Sequence, residues 1–167
     1  MSRLFIIEGA DSTGKSTLAK KLAYYAVGMY IHASGRTAFQ PIMEAYHLDI
    51  VETARQNLLN GCTVIIDRHW PSEFAYGSIL RPQVSATYSF QRVHEALDPL
   101  RPEYIYCRSP RAFERHQTLH KESDHCYTEE QYKQIVAKYD LLFGDVPHRL
   151  FNLDTMGLET FMNSLWL

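Results

Sequence analysis

The segment Gly9-Ala10-Asp11-Ser12-Thr13-Gly14-Lys15-Ser16-Thr17 constrains this chain more than any other stretch. A glycine, four variable residues and Gly-Lys-Ser/Thr make a phosphate-binding loop when a strand enters it and a helix leaves it. Both flanks have that character. Leu4–Ile7 is a short apolar run suited to a buried parallel strand. Ser16–Val27 follows with helical spacing, Leu18, Leu22 and Tyr25 or Ala26 on one face and Lys20 and Lys21 on the other. In that setting glycines let the backbone curl so that successive N–H groups point at phosphate oxygens, and the helix dipole adds positive potential. Lys15 is expected to bridge the outer phosphates and Ser16 to ligate Mg²⁺. Gly9, Asp11, Ser12, Thr13, Gly14 and Thr17 would complete the cradle of a nucleoside triphosphate. A glycine-rich turn that binds nothing is the competing reading, and the order of strand, loop and helix weighs against it.

A chain of 167 residues is expected to form one domain, residues 1–167, with a sizeable core. Its net charge of −2 implies no general polyanion-binding surface, which weighs against a dedicated nucleic-acid binder. Cys62, Cys107 and Cys126 are odd in number and lack a Cys-x-x-Cys pair, so they read as reduced thiols of a cytoplasmic protein. No apolar run approaches membrane-spanning length, and the N-terminus lacks a charged-then-apolar leader.

Strands are expected at Leu4–Glu8, Met29–Ala33, Thr63–Asp67, Glu103–Cys107 and Arg149–Leu153. Helices are expected over Lys15–Val27, Ile42–Leu59, Ser72–Leu80, Val84–Leu97, Pro110–His120, Glu129–Phe143 and Leu158–Leu165. This alternation predicts an α/β fold, a five-stranded parallel sheet with helices on both faces and ligands at the carboxyl ends of the strands.

A second motif fits that frame. Val64-Ile65-Ile66-Asp67-Arg68-His69 is an apolar strand ending in a charged pair. At the sheet end Asp67 would emerge beside the loop, to hold Mg²⁺ waters or accept a proton, while Arg68 faces an anionic phosphate. A surface salt bridge at a strand end is the plainer alternative.

Glu8-Gly9-Ala-Asp11-Ser-Thr-Gly14-Lys15-Ser16-Thr17 together with Asp67-Arg68-His69-Trp-Pro-Ser72-Glu-Phe-Ala75-Tyr76 resembles the thymidylate kinase family of nucleoside monophosphate kinases, especially the small versions encoded by bacteriophages. The resemblance implies a P-loop kinase fold, ATP and Mg²⁺ as cofactors, a small-molecule nucleotide acceptor and homodimerisation. It implies that Asp11 reaches the acceptor's sugar or phosphate and that Asp67 and Arg68 organise Mg²⁺ and the acceptor phosphate. Tyr76 would pack against the sugar and disfavour a 2′-hydroxyl. Ser12 stands where some members carry an arginine touching the γ-phosphate, so the charge must come from a lid.

The segment at about 108–127 offers one. Arg108, Arg111, Arg115 and Lys121 follow the fourth strand, and helical spacing would put the three arginines on one face. Arg111 and Arg115 are the expected catalytic cations, stabilising charge on the transferred group. A solvated basic helix face is the plainer reading. His116 and His120, with His125 and Cys126, have spacing that could grip zinc, but phosphoryl transfer needs none here.

At the acceptor end the chain departs from the family. Aligned on Gly61 and Asp67, the family's base-stacking aromatic and base-reading arginine become Met43 and His47, and Glu73 replaces a small or amide residue. Tyr46 or Phe39 would be left to stack. The family's Arg-Glu-Pro segment is replaced by His32-Ala-Ser34-Gly-Arg36, in which Arg36 would grip the acceptor phosphate and Ser34 and His32 polarise it more weakly. A carboxylate at 73 accepts from exocyclic amines, so cytosine, guanine or a modified pyrimidine stands beside thymine. The acceptor is thus expected to be a deoxynucleoside monophosphate, dTMP or a modified pyrimidine; a nucleoside or a hydroxymethylated base in DNA is the alternative. A nonenzymatic nucleotide switch is a third reading, against which Asp67, Arg68 and Tyr76 speak.

Overall fold

The computed structural model describes residues 2–33, 42–119 and 127–166. Within them five strands form: β1 (Leu4–Glu8), β2 (Met29–His32), β3 (Val64–Asp67), β4 (Glu103–Arg108) and β5 (His148–Asn152). The helices in order are α1 (Lys15–Tyr25), α2 (Met43–Leu59), α3 (Trp70–Ser72), α4 (Ser78–Leu80), α5 (Pro82–Ser85) and α6 (Phe90–Leu97). They continue with α7 (Ala112–Leu119), α8 (Glu129–Asp145) and α9 (Leu158–Ser164).

All strand pairs are parallel, in the order β2-β3-β1-β4-β5, as the alternation predicts. β1 is central, with Ile7 beside Asp67 and Glu8 beside Tyr106. Side chains alternate across a strand, and here that alternation sorts them between two cores. Leu4, Ile6, Val64, Ile66, Tyr104 and Tyr106 face the core closed by α2, α6 and α8. Phe5, Ile7, Ile65, Ile105 and Cys107 face the core closed by α1 and α9. The parity matters for the site, because it sends Asp67 toward α1 and Glu8 toward α8.

Several helix boundaries differ from expectation, each for a local reason. α1 stops at Tyr25 because Val27 turns to φ 48. The Gly28 and Val27 N–H groups then bond back to Ala23 and Tyr24 at 2.8 and 3.2 Å, the paired bonds of a Schellman cap. The helix expected over 84–97 is two pieces, because Ser89 caps α6 by accepting from the Arg92 N–H at 3.3 Å. Between α3 and α4 the chain makes a π-turn, Glu73–Gly77, which inserts a residue and rotates the side chains that follow. Arg108 belongs to β4, and α7 starts only at Ala112. Among the described residues no helix is long and apolar enough to cross a membrane.

Candidate active site

β1 delivers the chain into the glycine loop, and the loop's backbone is unusual where the motif requires it. Gly9 sits at φ 144, and a Cβ there would collide with the Cys107 carbonyl oxygen. Gly14 at φ 86 starts α1, its carbonyl accepting the Leu18 N–H at 3.0 Å. Ser12 is also left-handed, at φ 62. Thr13 Oγ1 and Lys15 Nζ both donate to the Ala10 carbonyl, at 2.8 and 3.1 Å. Lys15 is only 4% exposed and lies 3.5 Å from Asp11 Oδ1. Burial, with the Arg68 charge, lowers its pKa from the usual lysine value.

Asp67, at the end of β3, is wholly buried. Its Oδ2 accepts from Tyr30 Oη at 2.9 Å and lies 3.1 Å from His32 Nδ1, while Oδ1 has no hydrogen-bond partner. Burial alone would raise this carboxyl. The His32 contact, Lys15, the Ser16 hydroxyl and Arg68 outweigh it and bring the pKa down to about 2. An ionised carboxylate with one open oxygen beside a serine hydroxyl suits a hard divalent cation. Among the described residues no three His, Cys, Asp or Glu side chains gather to hold a metal.

Arg68 follows immediately at φ 72, a left-handed backbone that costs a non-glycine residue ~1–2 kcal/mol. Its guanidinium pairs with Asp11, lies 4.9 Å over the Tyr76 ring and donates to Ser72 Oγ at 3.3 Å. Asp11, about a third exposed, is held through its main chain and its carboxylate. Its N–H donates to Tyr76 Oη at 2.7 Å, its carbonyl accepts from Tyr132 Oη at 2.9 Å, and its Oδ2 accepts from Tyr127. Burial would raise the Asp11 carboxyl, but the charges of Arg68 and Lys15 bring it down to about 2. Asp11, Lys15, Ser16, Asp67, Arg68 and Tyr76 therefore meet at one end of the sheet. Tyr127 and Tyr132 join them, although neither motif points to either residue.

The arginines after β4 separate instead of sharing a face. Arg115 Nε donates to the Ser12 carbonyl at 3.1 Å, and its guanidinium pairs with Asp154 at 2.7 Å and reaches Ser109. Asp154 also accepts from Ser109 Oγ. Arg115 thus places a guanidinium beside the Ser12 carbonyl. Arg111 points elsewhere, exposed and 3.4 Å from Glu114. Arg108, on the strand, pairs with Asp140 of α8 at 3.0 Å. Buried His116 stacks on Tyr127, with ring centroids 4.7 Å apart. Ser34, Arg36, Phe39, His120, Lys121, His125 and Cys126 lie outside the described residues.

Met43 and His47 are core residues, 4% and 3% exposed. His47 Nδ1 lies 2.6 Å from Tyr88 Oη, and its ring stacks on His69 with centroids 4.5 Å apart. Burial, with His69 and Arg81 nearby, lowers its pKa to about 2, so it stays neutral near pH 7 and gives no charge switch there. Glu73 is buried against Arg81 at 2.5 Å. Burial raises its pKa against the pull of that arginine. Tyr46 is half-buried beside His47.

Glu8, the last residue of β1, stands immediately before the glycine loop. It is fully buried and accepts from the His69 N–H at 2.5 Å, Ser72 Oγ at 2.7 Å and Tyr139 Oη at 3.2 Å. Burial outweighs these bonds and the Arg68 charge, pushing its pKa up from 4.5 to about 7. The unfolded chain releases this proton near 4.5 and the folded chain near 7. The folded state therefore binds more protons in between, and this group's contribution to stability is lost as pH rises through that window. Glu8→Gln removes the effect. Denaturant unfolding at pH 4.5 and 7.5 is expected to shift the stability difference toward the variant at the higher pH, by at most about 3 kcal/mol. A difference that does not change with pH would contradict the raised pKa.

No protein-family model matches the sequence, and no curated protein matches it. Solved structures do. Bacillus subtilis YorR, in complex with phosphorylated GDP, is similar with TM-score 0.72 and 16% identity, over 98% of this chain and 93% of that one. Deoxyadenosine kinase from M. mycoides with bound dATP is similar with TM-score 0.66 and 16% identity, over 98% and 99%. An unliganded sugar kinase from Janibacter sp. gives TM-score 0.63 and 13% identity, over 99% and 92%. The five-stranded parallel sheet and its flanking helices are those of the P-loop nucleotide kinases, and this chain has their fold.

Proposed function

We propose that this protein is a thymidylate kinase-like enzyme of the cytoplasm that transfers the γ-phosphoryl group of ATP, with Mg²⁺, to a pyrimidine deoxynucleoside monophosphate. The observation that carries the reading is the meeting of Lys15, Ser16 and Asp67, with its open carboxylate oxygen, at the sheet end where Arg68 begins. The loop N–H groups and Lys15 hold the triphosphate. Ser16 and Asp67 hold Mg²⁺, which when bound offsets charge on the β- and γ-phosphates. Arg68 meets the acceptor phosphate, Asp11 its sugar, and the Tyr76 ring covers the 2′ carbon. Arg115, seated on the Ser12 carbonyl, adds positive charge beside the transferred group. Catalysis in such a site is positioning and electrostatics, with little covalent work for the protein.

A nucleoside acceptor is the second reading. It is favoured by the Asp11–Arg68 pair, which already neutralises the arginine without any acceptor phosphate. A phosphotransfer screen with ATP·Mg²⁺ against nucleosides, monophosphates and oligonucleotides separates the two. Arg68→Ala is expected to weaken use of monophosphates more than nucleosides. An equal loss with both would mean that no acceptor phosphate sits at Arg68, and no transfer to any acceptor would remove the kinase reading.

A further inference from the structure

We infer that Glu8 is a positioning residue for Arg68, fixing the guanidinium where the acceptor anion meets it; this rests on the kinase reading above. Strand parity sends Asp67 toward α1 and Glu8 toward α8, so the turn that carries Arg68 is gripped from both faces of the sheet. The Arg68 N–H donates to the Ile7 carbonyl at 3.0 Å, and the next N–H, of His69, donates to Glu8 Oε1. These two bonds bracket the left-handed residue and tie it to the end of β1.

The side chain is tied as well. Ser72 Oγ donates its one proton to Glu8 Oε2 at 2.7 Å, which turns its lone pairs toward Arg68 Nη1 at 3.3 Å. Tyr139 of α8 closes the group, 2.8 Å from Ser72 Oγ and 3.2 Å from Glu8 Oε2. Guanidinium, hydroxyl and carboxylate form a relay with a fixed direction. A purely structural acceptor for the His69 N–H would not need a carboxylate, which is costly to bury. Once ionised, above about pH 7, the Glu8 carboxylate differs from a neutral amide because it only accepts. An amide N–H facing Ser72 would compete with Arg68 for the same lone pairs.

The test compares wild type, Glu8→Gln, Ser72→Ala, Arg68→Ala and the Glu8→Gln/Arg68→Ala double variant. Phosphotransfer is measured above pH 7, where Glu8 is ionised, with ATP·Mg²⁺ and the best wild-type acceptor, and triphosphate binding with a fluorescent ATP analogue. Glu8→Gln is expected to lower kcat/KM for the acceptor by about 10²-fold, as small misplacements of a binding group do, with ATP-analogue binding unchanged and a cooperative thermal melt that shows the variant folded. It should add little in the Arg68→Ala background, because both changes remove the same interaction. Ser72→Ala should give a smaller loss of the same kind. Unchanged acceptor kinetics in Glu8→Gln, or equal losses with and without Arg68, would overturn the inference. If Glu8→Gln fails to fold, Ser72→Ala decides alone, and an unchanged acceptor KM overturns it. A wild-type protein that transfers nothing would overturn the kinase reading and the inference with it.

Discussion

Lys15→Ala is expected to abolish phosphoryl transfer and leave the protein folded. Lys15 is nearly sealed in the loop, bonded to the Ala10 carbonyl and close to Asp11. In so dry a place a fixed cation acts on phosphate charge with little screening. Its loss should lower the rate by roughly 10²–10³-fold or more, several kcal/mol in the transition state. Stability should change far less. The buried ammonium is itself costly to desolvate, and Asp11 keeps Arg68 as its partner. Steady-state turnover and a thermal melt of the purified variant check both halves. Wild-type turnover would mean that the loop does not cradle the transferred phosphate.

Asp67→Asn is expected to lower turnover by a comparable ~10²–10³-fold, through a different route. The amide oxygen can still accept from Tyr30 and His32, so the end of β3 should keep its shape. The negative charge and the open oxygen are what disappear. Turnover should then need much more Mg²⁺ for half-maximal rate, while metal-free triphosphate affinity stays the same. A Mg²⁺ titration superimposable on that of wild type would take Asp67 out of the metal's reach.

Sequence reading succeeds where a few adjacent residues build the structure by themselves. β1 has the expected bounds, Leu4–Glu8, and the glycine loop, Asp67 and Arg68 lie at the same end of the sheet. It fails where a tertiary approach completes the site. Tyr127 and Tyr132 reach Asp11 from 116 and 121 positions away. On the sequence Tyr132, Tyr139 and Phe143 are an apolar stripe, and a helix buries such a stripe in the same pattern whether or not one hydroxyl touches a ligand loop.

The spacing of Arg108, Arg111 and Arg115 is helical, yet Arg108 ends a strand. Pro110 is the contrary signal, since the residue before a proline disfavours helix. Glu8 needs only the alternation begun by Leu4 and Ile6 to be placed on the α8 side. The place of His47 is not legible in the sequence, because its burial depends on Tyr88 and His69 meeting across elements.

The crowding at Gly9 restricts how such a chain can drift. The obstacle is the main-chain oxygen of Cys107, an atom that every amino acid at position 107 would bring. No second change at 107 can rescue a replacement at 9. At Gly14 the obstacle is a Leu153 methyl group, 3.0 Å from where a Cβ would stand. A smaller residue at 153 would take that methyl away, leaving only the strain of a positive φ. The two loop glycines therefore stand differently toward compensation. Crowding at 14 can be relieved through 153, with the positive φ still straining any side chain there, whereas crowding at 9 admits no such relief.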